Sequence, residues 1–160
     1  MINTTLTHAF AYSAIFAGYA LVTLTMYPRL WLRHYPAAER QQQPPKGRGE
    51  RIATACHGIF FIVVILLALP VLSLLIAYGA ETDPAIALRH IAILGIIASL
   101  VDWLILDWLL LRYLQPQWLI PADTQASSWQ SKKDIVKDAI GFPIGSSIAV
   151  AWGYVVSRFF

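Results

Sequence analysis

One stretch of this sequence, Ile91 to Leu111, is apolar enough to cross a membrane and yet carries two acids, Asp102 and Asp107. A bilayer core about 30 Å thick needs about 20 apolar residues in a helix, and this run meets that length. An aspartate at the centre of such a helix costs about 2.5–3.5 kcal/mol on insertion scales. We therefore expect both carboxylates to face protein or water rather than lipid.

The spacing of the two acids predicts how they relate to each other. They are five residues apart, so in an α-helix they would point about 140° away from each other. We therefore expect them not to form a paired site on one face. Asp107 then needs a partner on another helix, a proton, or contact with water.

The composition indicates an integral membrane protein. Hydrophobic residues make up 58% of the 160 residues and charged residues only 13%, whereas soluble domains average about 25% charged residues. The net charge of +3 does not indicate nucleic-acid binding, because the basic residues concentrate in two loops beside membrane spans. The single cysteine, Cys56, excludes an internal disulfide and a CxxC motif.

The hydrophobic pattern predicts an all-α fold, a polytopic bundle of four transmembrane helices in one domain covering residues 1–160. The predicted spans are residues 8–27, 52–78, 87–111 and 142–160. Asp83 followed by Pro84 suits the start of the third helix. An amphipathic helix near residues 128–140 is predicted to lie on the membrane surface before the last span.

Small residues recur every four positions in the last span, at Gly145, Ala149 and Gly153. In membrane helices, small residues at this spacing let two backbones approach closely. The stripe therefore predicts tight packing against another helix. It is also the predicted docking face for a partner helix or for a second copy of the chain.

The distribution of basic residues predicts the orientation in the membrane. Residues 28–51 hold six Lys or Arg, and the second long loop holds four, so the two loops contain ten of the twelve in the chain. Loops rich in Lys and Arg stay in the cytoplasm. We expect a multi-pass protein of the bacterial inner membrane, in contact with membrane lipid, with both termini outside the cytoplasm.

Counting residues from the span ends predicts one polar layer beneath the cytoplasmic surface. Each of the four spans contributes one polar side chain at a similar depth, and a second acid lies deeper. The layer consists of Thr23, His57, Asp107 and Ser146, with Asp102 as its inner extension. Ionisable groups inside a membrane are functional candidates by default.

Three functions are compatible with this layer. In the first, a cytoplasm-facing polar pocket binds or translocates a cation, a proton or a lipid-like amphiphile, with Asp107 as the charged contact, His57 as its proton partner and Asp102 as a deeper contact. In the second, the layer only ties the helices together, through bonds worth about 1 kcal/mol or less each, in a structural or accessory subunit. In the third, the interfacial loops serve a lipid-modifying enzyme, although no motif defines a catalytic residue or a family.

Two histidines are predicted near the outer surface, His8 on the first span and His90 on the third. Histidines at one level on neighbouring helices can ligate a haem, although solvated or interfacial histidines are also typical of helix ends. No other cofactor is predicted. Cys56 beside His57 lacks a second thiol, so a zinc site is not supported.

Overall fold

The computed structural model describes residues 2–34, 41, 43–114 and 132–160. Helix α1 covers Ile2–Met26 and is followed by a 3-10 turn, Pro28–His34. Helix α2 covers Arg48–Tyr78, and α4 covers Lys132–Ser157. Helix α3 begins with Pro84–Val101 and continues as Asp102–Leu114.

The four-helix transmembrane fold is confirmed. Four helices are long and apolar enough to cross a membrane by length and composition, and the described parts of the chain contain no strand. The candidate spans are Ile2–Met26, Arg48–Tyr78, Pro84–Leu111 and Ala139–Ser157. They match the predicted spans, apart from a start three to six residues earlier in each and an end up to three residues earlier in the first and the last.

The helices run alternately up and down, which gives the bundle two ends. We call the end with the 79–83 turn the terminus side, and the opposite end, where α1 and α3 end and α2 and α4 begin, the loop side. The turn on the terminus side follows from its residues: Gly79 adopts a φ of 80° after α2, and the Asp83 side chain accepts a hydrogen bond from the backbone N–H of Ala85 at 2.7 Å. The predicted start of α3 at Asp83-Pro84 is confirmed.

Helix α3 is central, because it packs against both α1 and α4. The α3–α4 contact is close. A Cβ added to Gly95 would lie 2.1 Å from Cβ of Ala149, and one added to Gly153 would lie 2.9 Å from the backbone oxygen of Leu88. The predicted small-residue stripe of α4 therefore packs tightly, and in this chain it is covered by α3.

Two helices contain a widened stretch with hydrogen bonds from residue i+5 to residue i, Phe61–Ala68 in α2 and Asp102–Leu114 in α3. In α2 the backbone N–H of Leu69 bonds the carbonyl of Val64. Pro70 follows at once, and a proline has no N–H to continue the α-helical pattern. Such π-helical turns are rare and are frequent at functional sites.

The described part of the segment predicted as a surface helix, residues 132–140, belongs to the same helix as the last span. Helix α4 is continuous from Lys132 to Ser157 and includes Pro143. Residues 128–131 of the prediction lie outside the described residues. The prediction separated the two segments because Pro143 is a helix breaker in isolation, whereas a membrane helix tolerates proline when neighbouring groups satisfy the freed backbone.

Candidate functional site

The predicted separation of 140° between the two acids of α3 does not apply, because the helix is not a regular α-helix at these residues. Both fall in the widened stretch, where residue i+5 bonds back to residue i. Both side chains are half-buried, and the exposed side of this stretch is apolar, with Leu104, Ile105, Trp108 and Leu109.

The expectation that both carboxylates avoid lipid agrees with this burial pattern. Asp102 lies in the turn before Leu106, which is 7% exposed, and Asp107 follows it. This part of α3 packs against α4, and the Trp103 ring stacks on Phe142 at 5.6 Å between centroids. Neither carboxylate is without an interaction partner.

His57 contacts the first helix. Its Nδ1 lies 2.8 Å from the hydroxyl of Tyr19, and the two rings stack with centroids 5.6 Å apart and planes 8° apart. The edge of the His57 ring also meets Trp31, with centroids 5.2 Å apart. Sequence analysis did not include Tyr19 or Trp31 in the polar layer, although Tyr19 lies one helical turn from Thr23.

Thr23 serves as an acceptor in the same group. Its Oγ1 accepts a hydrogen bond from the indole Nε1–H of Trp31 at 3.1 Å, and it donates to the backbone carbonyl of Tyr19 at 2.8 Å. The turn that carries Trp31 is held to the start of α2, because Arg29 Nε donates to Glu50 at 2.6 Å. This ion pair raises the pKa of the Arg29 guanidinium.

Ser146 brings a hydroxyl to the layer from α4. Among the residues that the structure describes, its Oγ and that of Ser13 are the buried side-chain oxygens or nitrogens without a hydrogen-bond partner. A Cβ on the preceding Gly145 would lie 2.7 Å from Ser99 Oγ, so this part of α4 faces α3. The neighbouring Ser147 is exposed and donates to the backbone of Pro143.

The predicted layer thus divides into two groups on the loop side. His57 and Thr23 belong to the group built by α1, α2 and the 28–34 turn, with Tyr19 and Trp31. Asp102, Asp107 and Ser146 belong to the α3–α4 group. The direct pairing of His57 with Asp107 stays a prediction.

A second polar group, on the terminus side, joins three helices and was not predicted as a unit. We call it the terminus-side cluster; it consists of Thr5, His8, Ser73, Tyr78 and His90. Ser73 Oγ lies 2.9 Å from His8 Nδ1 and 3.0 Å from His90 Nε2. Thr5 Oγ1 lies 3.3 Å from His90 Nδ1 and 2.7 Å from the Tyr78 hydroxyl. The only sequence signal was the shared level of the two histidines.

The geometry of the two histidines bears on the haem considered from the sequence. Their ring centroids are 5.7 Å apart. Both nitrogens of His90 lie within hydrogen-bonding distance of protein hydroxyls, whereas an axial ligand directs one ring nitrogen at the iron. These contacts therefore lend the haem no support, and absorbance near the Soret band of the purified protein tests it.

Apolar packing separates the two polar regions at the middle of the bundle. Phe16 of α1 lies against Phe61 of α2, with ring centroids 5.6 Å apart, and Leu94 of α3 is fully buried in the same core. Tyr12 is 5% exposed, and its hydroxyl donates to the carbonyl of Ile65 at 3.0 Å. The bundle thus has a polar region in each half and an apolar layer between them.

Comparisons with protein-family models, with curated proteins and with solved structures found no match for this chain. The chemistry of the two polar regions is therefore the basis for a function. The loop-side groups bring carboxylates, an imidazole and hydroxyls into the membrane, and these groups bind protons and small cations.

Proposed function

We propose that this protein binds a proton or a small cation between α3 and α4, in the half of the membrane that faces the cytoplasm. Asp102 and Asp107 are the charged contacts, and Ser146 offers a hydroxyl from the opposing helix. The observation that carries the proposal is the position of two half-buried acids in one widened stretch of α3. Two carboxylates in one low-dielectric site disfavour double ionisation, so the pair favours a bound proton or cation.

The widened stretch supports a functional role for this pair. Turns with hydrogen bonds from residue i+5 to residue i are rare and occur frequently at functional sites. Here Asp102 and Asp107 both lie in the widened stretch, five residues apart, which is the spacing of its backbone hydrogen bonds. Their exposed neighbours are apolar, so the polar side of α3 is directed away from lipid.

His57 has a supporting role in this proposal. Its Nδ1 is held by the Tyr19 hydroxyl at 2.8 Å, so its other ring nitrogen, Nε2, is the one that can exchange a proton with the α3–α4 group. The Arg29–Glu50 pair fixes the adjoining turn and keeps the Trp31 ring beside His57. Because the long loops are basic, we orient this side toward the cytoplasm.

Thermal unfolding of the purified protein in detergent tests the proposal. The midpoint is measured between pH 5 and pH 9, with sodium, potassium or choline as the only cation. A ligand that binds the folded state alone raises the midpoint, and about 1 kcal/mol of binding corresponds to roughly 2–4 °C for a chain of this size. We expect a dependence on cation, or on pH beyond that of the histidines, that is lost in Asp102→Asn and in Asp107→Asn.

Glu81→Gln is the matched control, because Glu81 is an exposed acid on the terminus side. It is expected to keep the full dependence of the wild-type protein. If Asp102→Asn and Asp107→Asn unfold at a lower midpoint but keep the same dependence on pH and cation, the proposal is wrong.

An accessory subunit is the second candidate, and one observation favours it. His57 and Thr23 already have hydrogen-bond partners within the chain, which is the behaviour of structural ties. In that case the variants at Asp102 and Asp107 change stability alone. Co-purification of a partner membrane protein with the wild-type chain, lost on substitution of residues outside the polar regions, would then identify the docking surface.

A further inference from the structure

The terminus-side cluster forms an unbroken chain of hydrogen-bonding groups across α1, α2 and α3. Its order is His8, Ser73, His90, Thr5 and Tyr78, and each link joins two side chains at 2.7–3.3 Å. His90 is 1% exposed and Thr5 is 5% exposed. His8, at one end of the series, is half-buried, so a proton can enter through its ring.

When both histidines are neutral, every link between the side chains of the cluster has one donor and one acceptor. The Ser73 hydroxyl has one hydrogen to donate and can accept two hydrogen bonds. When His8 Nδ1–H donates to Ser73, Ser73 donates to His90 Nε2, and His90 Nδ1–H donates to Thr5. The reverse direction, starting from the Tyr78 hydroxyl, satisfies the same groups equally well.

One additional proton fits without loss of a hydrogen bond. If it sits on His90, both ring nitrogens donate, to Ser73 and to Thr5, and the Ser73 hydroxyl turns to donate to His8. If it sits on His8, the neutral arrangement is kept and the proton occupies Nε2. A proton leaving His8 Nδ1 for Ser73 is balanced by the Ser73 proton moving to His90 Nε2.

A second additional proton does not fit. Both imidazolium rings would then donate to the Ser73 oxygen, and the Ser73 hydrogen would have no acceptor among the side chains of the cluster. The two positive rings would also repel each other, because their centroids are only 5.7 Å apart. Like charges at this separation disfavour the doubly charged state.

The charged groups near this end do not offset that repulsion. Glu81, Arg89 and Arg158 are exposed, and the exposed Asp83 is engaged with the start of α3. From α2, the groups that face His90 are the Ser73 hydroxyl and the ring edge of Tyr78, whose centroid lies 5.4 Å away. Val156 of α4, and Phe160 beyond its end, pack with Ile91 beside His90 and are apolar.

We propose that the terminus-side cluster binds one proton, shared between His8 and His90 through the Ser73 hydroxyl. This site is separate from the loop-side acids, because the apolar layer around Phe16 and Phe61 lies between them. It is therefore independent of the function proposed above. Its ligand is a proton, and the three helices that carry it are tied together in both charge states.

Nitrogen-15 NMR of histidine-labelled protein in lipid bilayers tests this proposal, since the ring shifts report tautomer and charge. From pH 9 to pH 4 we expect the His8 and His90 signals to change together in a first step of one proton. The second step should lie at least about one pH unit lower, as for interacting sites. His57 should titrate separately.

Ser73→Ala removes the shared hydroxyl, so the coupling between the two rings should weaken to the part that comes from the repulsion of their charges. Ser73→Thr retains a hydroxyl and should keep the coupled step. Ser147→Ala is the matched control, because the Ser147 hydroxyl is exposed and bonds only its own helix. Asp107→Asn should also leave the coupled step unchanged, which separates this proposal from the first.

Independent titration of His8 and His90 in the wild-type protein would overturn the proposal. The same conclusion would follow if Ser73→Ala left the coupled step intact. If Ser73→Ala does not fold, the titrations of the wild-type protein and of Ser73→Thr still test the proposal. A folded Ser73→Thr variant without coupled titration would contradict the shared proton.

Discussion

The two polar regions of this bundle differ in how they are held together. The terminus-side cluster links three helices through side chains that bond one another in series. On the loop side, the polar groups are divided between α1–α2, with His57, and α3–α4, with Asp102 and Asp107. The terminus-side hydrogen bonds join their members across three helices, whereas the hydrogen bonds of His57 and Thr23 stay within α1, α2 and the 28–34 turn.

The largest expected effect comes from disrupting the close contact between α3 and α4. Gly95→Leu places a side chain where even a Cβ would lie 2.1 Å from Cβ of Ala149. Overpacking of this kind costs about 3 kcal/mol or more, and we expect loss of folded protein in detergent by size-exclusion chromatography. Gly18→Leu is the matched control, since a Cβ there meets nothing within 4 Å. Equal yields of the two variants would contradict the close α3–α4 contact.

Replacing each histidine by leucine compares the two regions directly. His90 is buried and joins two hydroxyls, so His90→Leu should destabilise the fold by about 2–3 kcal/mol, because it leaves buried groups without partners. His57 is half-buried and has a single hydrogen bond to Tyr19, so His57→Leu should cost about 1 kcal/mol. Unfolding in a denaturing detergent measures both, and a larger loss for His57→Leu would reverse the comparison.

Removing single hydroxyls should have smaller effects. Tyr12→Phe leaves the carbonyl of Ile65 without its donor and should cost about 1 kcal/mol, the usual net value of a hydrogen bond. Tyr19→Phe removes the partner of His57 and should cost less, because that bond is only partly buried. Its distinctive effect should be on the His57 ring signals in nitrogen-15 spectra. Unchanged His57 signals in Tyr19→Phe would show that the two residues are not bonded.

The smallest expected effect concerns the Arg29–Glu50 pair, which lies outside the two polar regions at the loop end. Exposed ion pairs contribute little and are screened by salt. Glu50→Gln should therefore lower the unfolding midpoint slightly at low ionic strength, and the difference should disappear at about 0.5 M salt. A large decrease in the unfolding midpoint at every salt concentration would show that the ion pair contributes more to holding Trp31 in place than its exposure indicates.

Much of the fold could be predicted from the sequence, because hydrophobic length alone identifies membrane-spanning helices. The four spans and the packing of the small-residue stripe on α4 follow from run lengths and from a four-residue period. The start of α3 follows from the Asp-Pro pair. These features depend on local composition, which a single sequence contains in full.

The relation between the two acids could not be predicted, because it depends on hydrogen-bond geometry. Helical periodicity assumes 100° per residue, and nothing between Asp102 and Leu114 signals the change to bonds from residue i+5. A proline follows the widened stretch of α2 and would have been a hint there. The terminus-side cluster was missed for another reason: Ser73 and Thr5 are ordinary residues until the fold brings them to the histidines.

The central claim is that Asp102 and Asp107 act as one binding unit. Infrared difference spectra of the protein in lipid vesicles, recorded between pH 8 and pH 5, follow the carboxyl groups directly. The account predicts a carboxyl band in the wild-type spectrum. In Asp102→Asn and in Asp107→Asn one carboxyl group is lost, and the band of the remaining group should also change, because interacting sites titrate as a pair. A band for the remaining acid that is unchanged in either variant would contradict it.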